Sequence, residues 1–281
     1  MSSDEEAAFL KFHKVASARK MDLAMRGLPV KNAAIEDLYG QAKLMPEAAW
    51  DEFLRCEFPS PRQNDDLTSR PLMRMTDRLG LTFHGDSDLD IDAIMDAGET
   101  FIEVCRVFGG PFAALTVHEA RMNLDKIKEG MREVGAAGSS LKSVLFSEVR
   151  SGMHGAGGVL KDPSAAMGIL WLIRFIAFWE EICSLRSKLQ PPADAATPLR
   201  GTVEDAYSRC LQPYHGWVTQ KAFEMAFHAS PTWEEVLPYF ADSPDVFRED
   251  VKAFTRVSQG LQDRVMSALR ELDLVDIRKS V

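Results

Sequence analysis

The stretch DAYSRCLQPYHGWVTQKAFEMAFHASP, residues 205–231, separates cleanly into an apolar and a polar face when it is read as a helix. From Tyr214 to about Ala229 the pattern predicts one helix, and the proline just before it suits a first helical turn. Its apolar face recurs at spacings of three and four, at His215, Val218, Ala222, Met225 and Ala229. Trp217 falls on the polar face with Lys221. The imidazole is therefore expected inside and the large indole outside, which reverses the usual placement, although a core histidine and a chance surface tryptophan fit the same pattern.

The composition bounds what kind of protein this is. The chain has 281 residues, 46% of them hydrophobic, which is enough for a large packed core. A formal net charge of -9 argues against a nucleic-acid binder, because such proteins neutralise phosphates with basic side chains. The cysteines lie far apart and form no Cys-x-x-Cys pair, so neither a zinc knuckle nor a redox motif is indicated: Cys56, Cys105, Cys183 and Cys210. Free cysteines are typical of a reduced, intracellular compartment.

The apolar and charged segments predict a soluble, cytosolic protein. The first nine residues, MSSDEEAAF, are acidic where a signal peptide needs positive charge. The longest apolar run, from Ala165 to Trp179, is interrupted by Arg174 and is shorter than the roughly 20 residues that cross a bilayer. Any contact with a membrane is therefore expected to be peripheral.

Helical patterns run through nearly the whole chain, and no segment alternates convincingly with the period of two that marks a strand. We therefore predict an all-α fold. Helices are expected from Ser3 to Arg26 and from Lys31 to about Leu54, followed by a linker rich in Pro, Asp and Ser at residues 58–70. A second turn-rich patch follows at residues 84–88. We place a domain boundary there, with an N-terminal helical extension of unknown function at residues 1–85 and the main domain at 86–281.

Polar side chains interrupt two otherwise apolar helices. Glu119, Asn123 and Lys126 form one row at i, i+4 and i+7, which an ordinary surface row of charges would also produce. Trp171 and Arg174 lie one turn apart on a helix that is apolar on almost every side. A guanidinium in such a helix must find a partner or reach water, because an unpaired buried charge is costly.

Motifs for catalysis are missing from the sequence. There is no Gly-x-Ser-x-Gly elbow, and the His118-Glu119 pair lacks the second histidine of a zinc protease. The six histidines show no metal-ligand spacing. We predict no enzymatic activity, no metal and no cofactor. The polar set instead suits a site that holds an amide and a sugar ring, with an indole stacked on the C–H bonds of the ring.

From about Leu89 to Val281 the chain resembles the glycolipid transfer protein family. The resemblance rests on FGGPFAALTVHEARMNLDKI at residues 108–127, LWLIR at 170–174 and AYSRCLQPYHGW at 206–217. The segment SLKSVLFSEV at residues 140–149 is similar to the family segment between the first two motifs. The resemblance covers about two thirds of the chain and leaves residues 1–85 without a counterpart.

The resemblance implies a two-layer helical sandwich with a headgroup centre at its surface. Asn123 and Lys126 would hydrogen-bond the first sugar, and Trp171 would stack on it. His215 would donate to the ceramide carbonyl, and Glu119 would accept from the ceramide N–H. Glu119 stands where the family usually has Asp, and the extra methylene displaces the carboxylate by about one C–C bond length.

The resemblance also implies an apolar pocket for the lipid chains and a contact with the bilayer. The expected lining residues are Phe101, Val104, Phe108, Phe112, Leu115, Phe175, Phe178, Val218 and Ala222. Trp217 and Lys221 fall where family members touch the membrane.

The function expected from these residues is transfer of one glycosphingolipid between membranes by a monomeric carrier with transient peripheral membrane contact. Two alternatives stay open. Arg174 matches a basic position of relatives that carry ceramide phosphate, so the ligand could be ceramide-1-phosphate. The protein could also be a sphingolipid sensor or adaptor whose N-terminal segment binds a partner.

Overall fold

The computed structural model describes residues 70–84, 88–108, 110–135, 140–188, 199–228 and 230–279. The helices predicted between Ser3 and Leu54 lie outside these residues. In chain order the described helices are α1 (Pro71–Gly80), α2 (Ile91–Val107), α3 (Gly110–Glu133), α4 (Leu141–Arg150), α5 (Ala165–Ser187), α6 (Arg200–Cys210), α7 (Trp217–His228), α8 (Trp233–Phe240) and α9 (Pro244–Glu271). A short antiparallel pair, β1 (Phe83–His84) and β2 (Asp88–Leu89), joins α1 to α2. The prediction of an all-α fold is confirmed.

Helix α5 lies at the centre of the fold. It packs against α3, α6 and α9, which explains why it is apolar on almost every side. Helix α9 covers it with an amphipathic face whose buried residues recur at helical spacing: Phe247, Val251, Phe254, Leu261, Val265 and Leu269. None of the helices in the described part of the chain combines the length and the apolar character needed to cross a membrane.

Polar side chains cap the helices where the sequence predicts turns. Asp90 accepts from the backbone N–H groups at the start of α2, and Thr232 with Glu235 forms a capping box at the start of α8. Ser164 caps α5 in the same way, because its hydroxyl accepts from the Met167 N–H.

The predicted helix from Tyr214 to Ala229 is interrupted at its start. Residues Gln212–Tyr214 form a 3-10 turn, His215 is extended with φ -84° and ψ 136°, and α7 begins only at Trp217. The side-chain amide of Gln220 donates to the carbonyl oxygens of Gln212 at 3.1 Å and of His215 at 2.8 Å. These bonds satisfy carbonyls that a continuous helix would use internally, so His215 lies on a connector and not at the head of a helical face.

The boundary predicted at residue 85 cuts through the packed unit. Helix α1 packs against α2 and α9 and buries Leu72, Met75 and Leu79 in the common core. Arg70, just before α1, forms an ion pair with the buried carboxylate of Asp250 in α9. Residues 70–80 therefore belong with the main domain, because their apolar face has no other described surface to cover.

Helices α3 and α5 approach closely at Gly168. A Cβ built on this glycine would lie 2.4 Å from the carbonyl oxygen of Asn123 and 3.0 Å from the backbone nitrogen of Ile127. Only a residue without a side chain fits there, since backbone atoms cannot give way as a flexible side chain can. The contact sets the polar row of α3 against the turn of α5 that precedes Trp171.

We expect Gly168→Ala to destabilise the protein by about 1–3 kcal/mol, because the added methyl group forces two packed helices apart. Gly201→Ala is the matched control. Its Cβ would meet nothing within 4 Å in helix α6, so the change should leave stability unchanged or raise it by up to about 1 kcal/mol. Urea denaturation of both variants measures the difference, and equal stabilities would contradict the close contact.

Candidate functional site

Trp171 and His215 form the centre of the candidate site. Their rings stack with centroids 5.2 Å apart and an angle of 18° between planes. The imidazole is 2% exposed, whereas the indole is only partly buried. Phe175, one turn along α5, contacts both rings from below, at 6.4 Å from each. The connector and α5 thus place the partly exposed indole of Trp171 at the edge of the core, with the buried imidazole of His215 stacked on it.

His215 is held in its neutral form. Burial, together with the nearby charge of Arg174, lowers the pKa of His215 to about 3. Its Nδ1 lies 2.9 Å from the Tyr207 hydroxyl, and burial raises the pKa of that phenol. Among the described residues Tyr207 has no other hydrogen-bond partner, so we assign its O–H as the donor to Nδ1. The ring proton then sits on Nε2, where it can serve a ligand as a neutral donor.

Arg174 is buried, and no carboxylate of the described residues forms an ion pair with it. One guanidinium nitrogen donates to the backbone carbonyl of Asp276, and the group lies 3.6 Å from the Tyr214 ring centroid and 5.0 Å from that of Trp171. Burial lowers the pKa of Arg174 to about 10, which still leaves it charged at neutral pH. Two ring faces, a backbone carbonyl and the charge of Asp276 therefore compensate the charge of Arg174.

The row on α3 lies beside this group. Asn123 is 2% exposed, and its side-chain nitrogen Nδ2 is buried with no hydrogen-bond partner in the described structure. The Nζ of Lys126 lies 2.9 Å from a carboxylate oxygen of Asp162, just ahead of α5. Glu119 is half-buried one turn before Asn123. The contact at Gly168 brings the row against α5, one turn from Trp171.

The chemistry of this group suits a neutral polar ligand. An unpartnered buried amide costs on the order of 1–3 kcal/mol, so the Asn123 side chain is suited to meet an acceptor on a ligand. His215 offers a second neutral donor, Lys126 a charged one, and Trp171 a partly open aromatic surface. Together they can hold hydroxyl and amide groups beside an apolar core.

The predicted pocket residues that can be examined are all buried in that core: Phe101, Val104, Phe108, Phe112, Leu115, Phe175 and Phe178. The side chains of Val218 and Ala222 lie outside the described atoms. Phe112 stacks on Trp179 at 5.5 Å and meets Phe178 edge-on at 6.0 Å. These side chains thus form one aromatic cluster, and their role as a lipid pocket stays a prediction.

The residues predicted to touch the membrane lie on α7. Trp217 is 56% exposed, only two residues from the buried His215. The side chain of Lys221 is not among those described. The inward imidazole and outward indole expected from the sequence are both present, although a connector and not a helix separates them.

Sequence reasoning missed three residues of the site: Tyr207, Tyr214 and Asp276. The two tyrosines lie in the same quoted motif as His215, so their ring chemistry was available as a signal. Asp276 gave no signal in the sequence, because it contributes a backbone carbonyl that binds Arg174 from a distant part of the chain.

A family model described as "Glycolipid transfer protein (GLTP)" matches residues 89–241, more than half of the chain. The chain belongs to the glycolipid transfer protein family. It is therefore a member of a family of lipid transfer proteins, as the sequence motifs predicted.

Individual family members are distant in sequence. The chain is 22% identical over 172 residues to glycolipid transfer protein 2 of Arabidopsis thaliana, a match that covers 60% of this chain and 73% of that protein. It is 28% identical over 141 residues to the glycolipid transfer protein of Danio rerio, covering 50% of this chain and 64% of the relative.

A solved structure shows the shared fold. Human ceramide-1-phosphate transfer protein, in complex with 2:0 ceramide-1-phosphate, superposes with a TM-score of 0.65 at 16% identity, covering 75% of this chain and all of that one. The glycolipid transfer protein fold predicted from the sequence is confirmed.

Stability should depend on pH through His215. The unfolded imidazole titrates near 6.5 and the folded one near 3, so the unfolded chain binds the proton first as the pH falls. The contribution to stability is full above pH 6.5 and is lost progressively between 6.5 and 3. Between about pH 7.5 and about pH 5.5, the wild type should lose about 1.4 kcal/mol more than His215→Gln. Chemical denaturation at both pH values measures this, and equal losses would contradict a buried neutral imidazole.

Proposed function

We propose that the protein carries a single glycosphingolipid between membranes without covalent chemistry. The observation that carries the proposal is the buried amide nitrogen of Asn123, which has no hydrogen-bond partner among the described residues and lies on the helix that meets α5 one turn before Trp171. A glycosphingolipid presents an amide and a sugar ring side by side, which matches two neutral donors and an aromatic surface. We expect a monomer in the cytosol, which light scattering and imaging of a tagged protein can check.

The proposed roles combine the family resemblance with the burial and contacts of each group. Nε2 of His215 would donate to the ceramide carbonyl, and Glu119 would accept from the ceramide N–H. Asn123 and Lys126 would bind hydroxyls of the first sugar, with Lys126 shared with Asp162. Trp171 would contact the sugar through the part of the indole that its neighbours leave open. Neutral donors suit this task, because they gain from a neutral ligand without leaving a charge unpaired afterwards.

A carrier is needed because the lipid chains resist exposure to water. About 30 methylenes at about 0.8 kcal/mol each cost on the order of 25 kcal/mol to expose. The aromatic cluster around Phe112 is the candidate place for these chains. A bound chain would enter it by separating rings that contact one another in the described structure.

The carrier would load at a membrane through Trp217. A partly polar indole favours the boundary between lipid and water, and this one is exposed next to the connector that holds His215. The amide-binding group would then face the bilayer from which the lipid is taken.

One observation favours a second candidate ligand, ceramide-1-phosphate. Arg174 is a buried cation with no carboxylate in contact among the described residues, and phosphate is a strong partner for a guanidinium. The likeness to the human ceramide-1-phosphate transfer protein shows that the fold can hold such a lipid. The third alternative, an adaptor role of the N-terminal segment, concerns residues outside the described part of the chain.

We expect Asn123→Leu to separate recognition from stability. Transfer of glucosylceramide between vesicles should fall by about tenfold or more, because one hydrogen bond to the headgroup is lost. The free energy of unfolding should stay level or rise by about 1 kcal/mol, since a buried unpartnered amide is removed. Met122→Leu, on the exposed side of the same helix, is the control. Wild-type transfer by Asn123→Leu would reject Asn123 as a recognition residue.

Substitution of Trp171 and of Trp217 should impair different steps of lipid transfer. Trp171→Ala should bind vesicles normally and transfer glucosylceramide at least about tenfold more slowly, because stacking on the sugar is lost. Trp217→Ala should bind the lipid normally in detergent and associate more weakly with vesicles. Each variant is the control for the other in paired flotation and transfer assays. Normal transfer by Trp171→Ala would reject the stacking role, and normal flotation of Trp217→Ala would reject the membrane contact.

A further inference from the structure

The chain that follows α9 turns back onto the headgroup site. Asp273 adopts a positive φ of 56°, which reverses the chain direction, and Leu274 is then buried at 2% exposure. Val275 passes so close to Gly158 that a Cβ on the glycine would lie 2.9 Å from the Val275 carbonyl oxygen. We call residues 274–278 the return segment.

The carboxylate of Asp276 fixes the return segment to the chain ahead of α5. It is nearly fully buried and accepts from the Leu160 backbone N–H at 3.1 Å. It also accepts from the backbone and the guanidinium of Arg278, at 2.9 and 3.0 Å. Arg278 in turn donates to the Leu160 carbonyl oxygen at 3.3 Å. The segment is therefore bound at several points, and its backbone position is fixed.

The return segment binds the guanidinium of Arg174. The carbonyl oxygen of Asp276 accepts from the Arg174 guanidinium, which also lies against the Tyr214 ring. A free guanidinium would offer its donors to phosphate in a bidentate fork. Here one of those donors is bound by the chain's own backbone, and a flat ring covers the group.

We propose that the return segment selects the headgroup. Because the Asp276 carbonyl oxygen binds the Arg174 guanidinium, the site binds a phosphate less well and favours an uncharged sugar. The inference rests on the proposed function, since it concerns which sphingolipid the same site accepts. Arg174 then acts as a positioning residue that links the return segment to Tyr214 and Trp171, and it is not a ligand of the headgroup.

The test changes the anchor and leaves Arg174 in place. Asp276→Asn removes the charge that holds Arg278 and weakens the acceptor for the Leu160 N–H, so the segment should loosen and release Arg174. Glu271→Gln is the matched control, because it removes another carboxylate near the end of α9, one that pairs with Lys142 on α4. Transfer of glucosylceramide and of ceramide-1-phosphate is measured for the full-length wild type and both variants.

We expect the wild type to transfer glucosylceramide much faster than ceramide-1-phosphate. In Asp276→Asn the ratio of the two rates should fall by about tenfold, the size of one hydrogen bond to a charged group. Glu271→Gln should keep the wild-type ratio. A purely structural role of the segment would slow both lipids equally and leave the ratio unchanged.

Other outcomes overturn the inference in recognisable ways. An unchanged ratio in Asp276→Asn, or efficient ceramide-1-phosphate transfer by the wild type, rejects headgroup selection by the segment. A wild type that transfers neither lipid rejects the proposed function itself. If Asp276→Asn does not fold, Arg278→Gln loosens the same anchor from its exposed side and should shift the ratio in the same direction.

A double change tests whether the segment acts through Arg174. Lysine cannot reproduce the planar stacking on Tyr214, so Arg174→Lys should already lower the ratio of the two rates. Adding Asp276→Asn to Arg174→Lys should then produce little further change. Fully additive effects on the ratio would show that the segment acts by another route.

Discussion

The close approach of α3 and α5 at Gly168 is the contact on which the site depends. A helix pair that meets backbone to backbone brings Asn123 against the turn before Trp171. Any side chain larger than hydrogen at residue 168 would push the polar row of α3 away from α5 and Trp171. The side-chain nitrogen of Asn123 is buried next to this contact and has no hydrogen-bond partner among the described residues. The geometry that assembles the site therefore also leaves it with an unpartnered donor.

Burial without full pairing is the common feature of the site. His215 is neutral because its surroundings disfavour charge, and the charged Arg174 contacts two rings and a backbone carbonyl. Each buried group costs free energy, and a ligand that supplies a missing partner would recover part of that cost. In the proposed carrier, the lipid would bind through these existing donors.

The fold serves two headgroup chemistries within the family, so selectivity must come from a few side chains around a shared centre. In this protein the return segment adds a constraint from outside the matched span of residues 89–241. It reaches the site through a backbone carbonyl, a contact that substitutions of the side chain alter only indirectly. Under this proposal, selection of the ligand depends on how the return segment is anchored.

The sequence alone determined the all-α class, most helices and the polar residues that stand out on apolar faces. These features are local, since periodicity and capping depend on residues within a few turns. Tertiary structure decided that His215 is buried against Trp171 of α5, with the two rings stacked. It also decided that α1 belongs to the core and that Asp276 meets Arg174 across 102 residues of chain. No local pattern encodes such contacts, because they depend on how separate helices pack and on which backbone groups that packing leaves within reach.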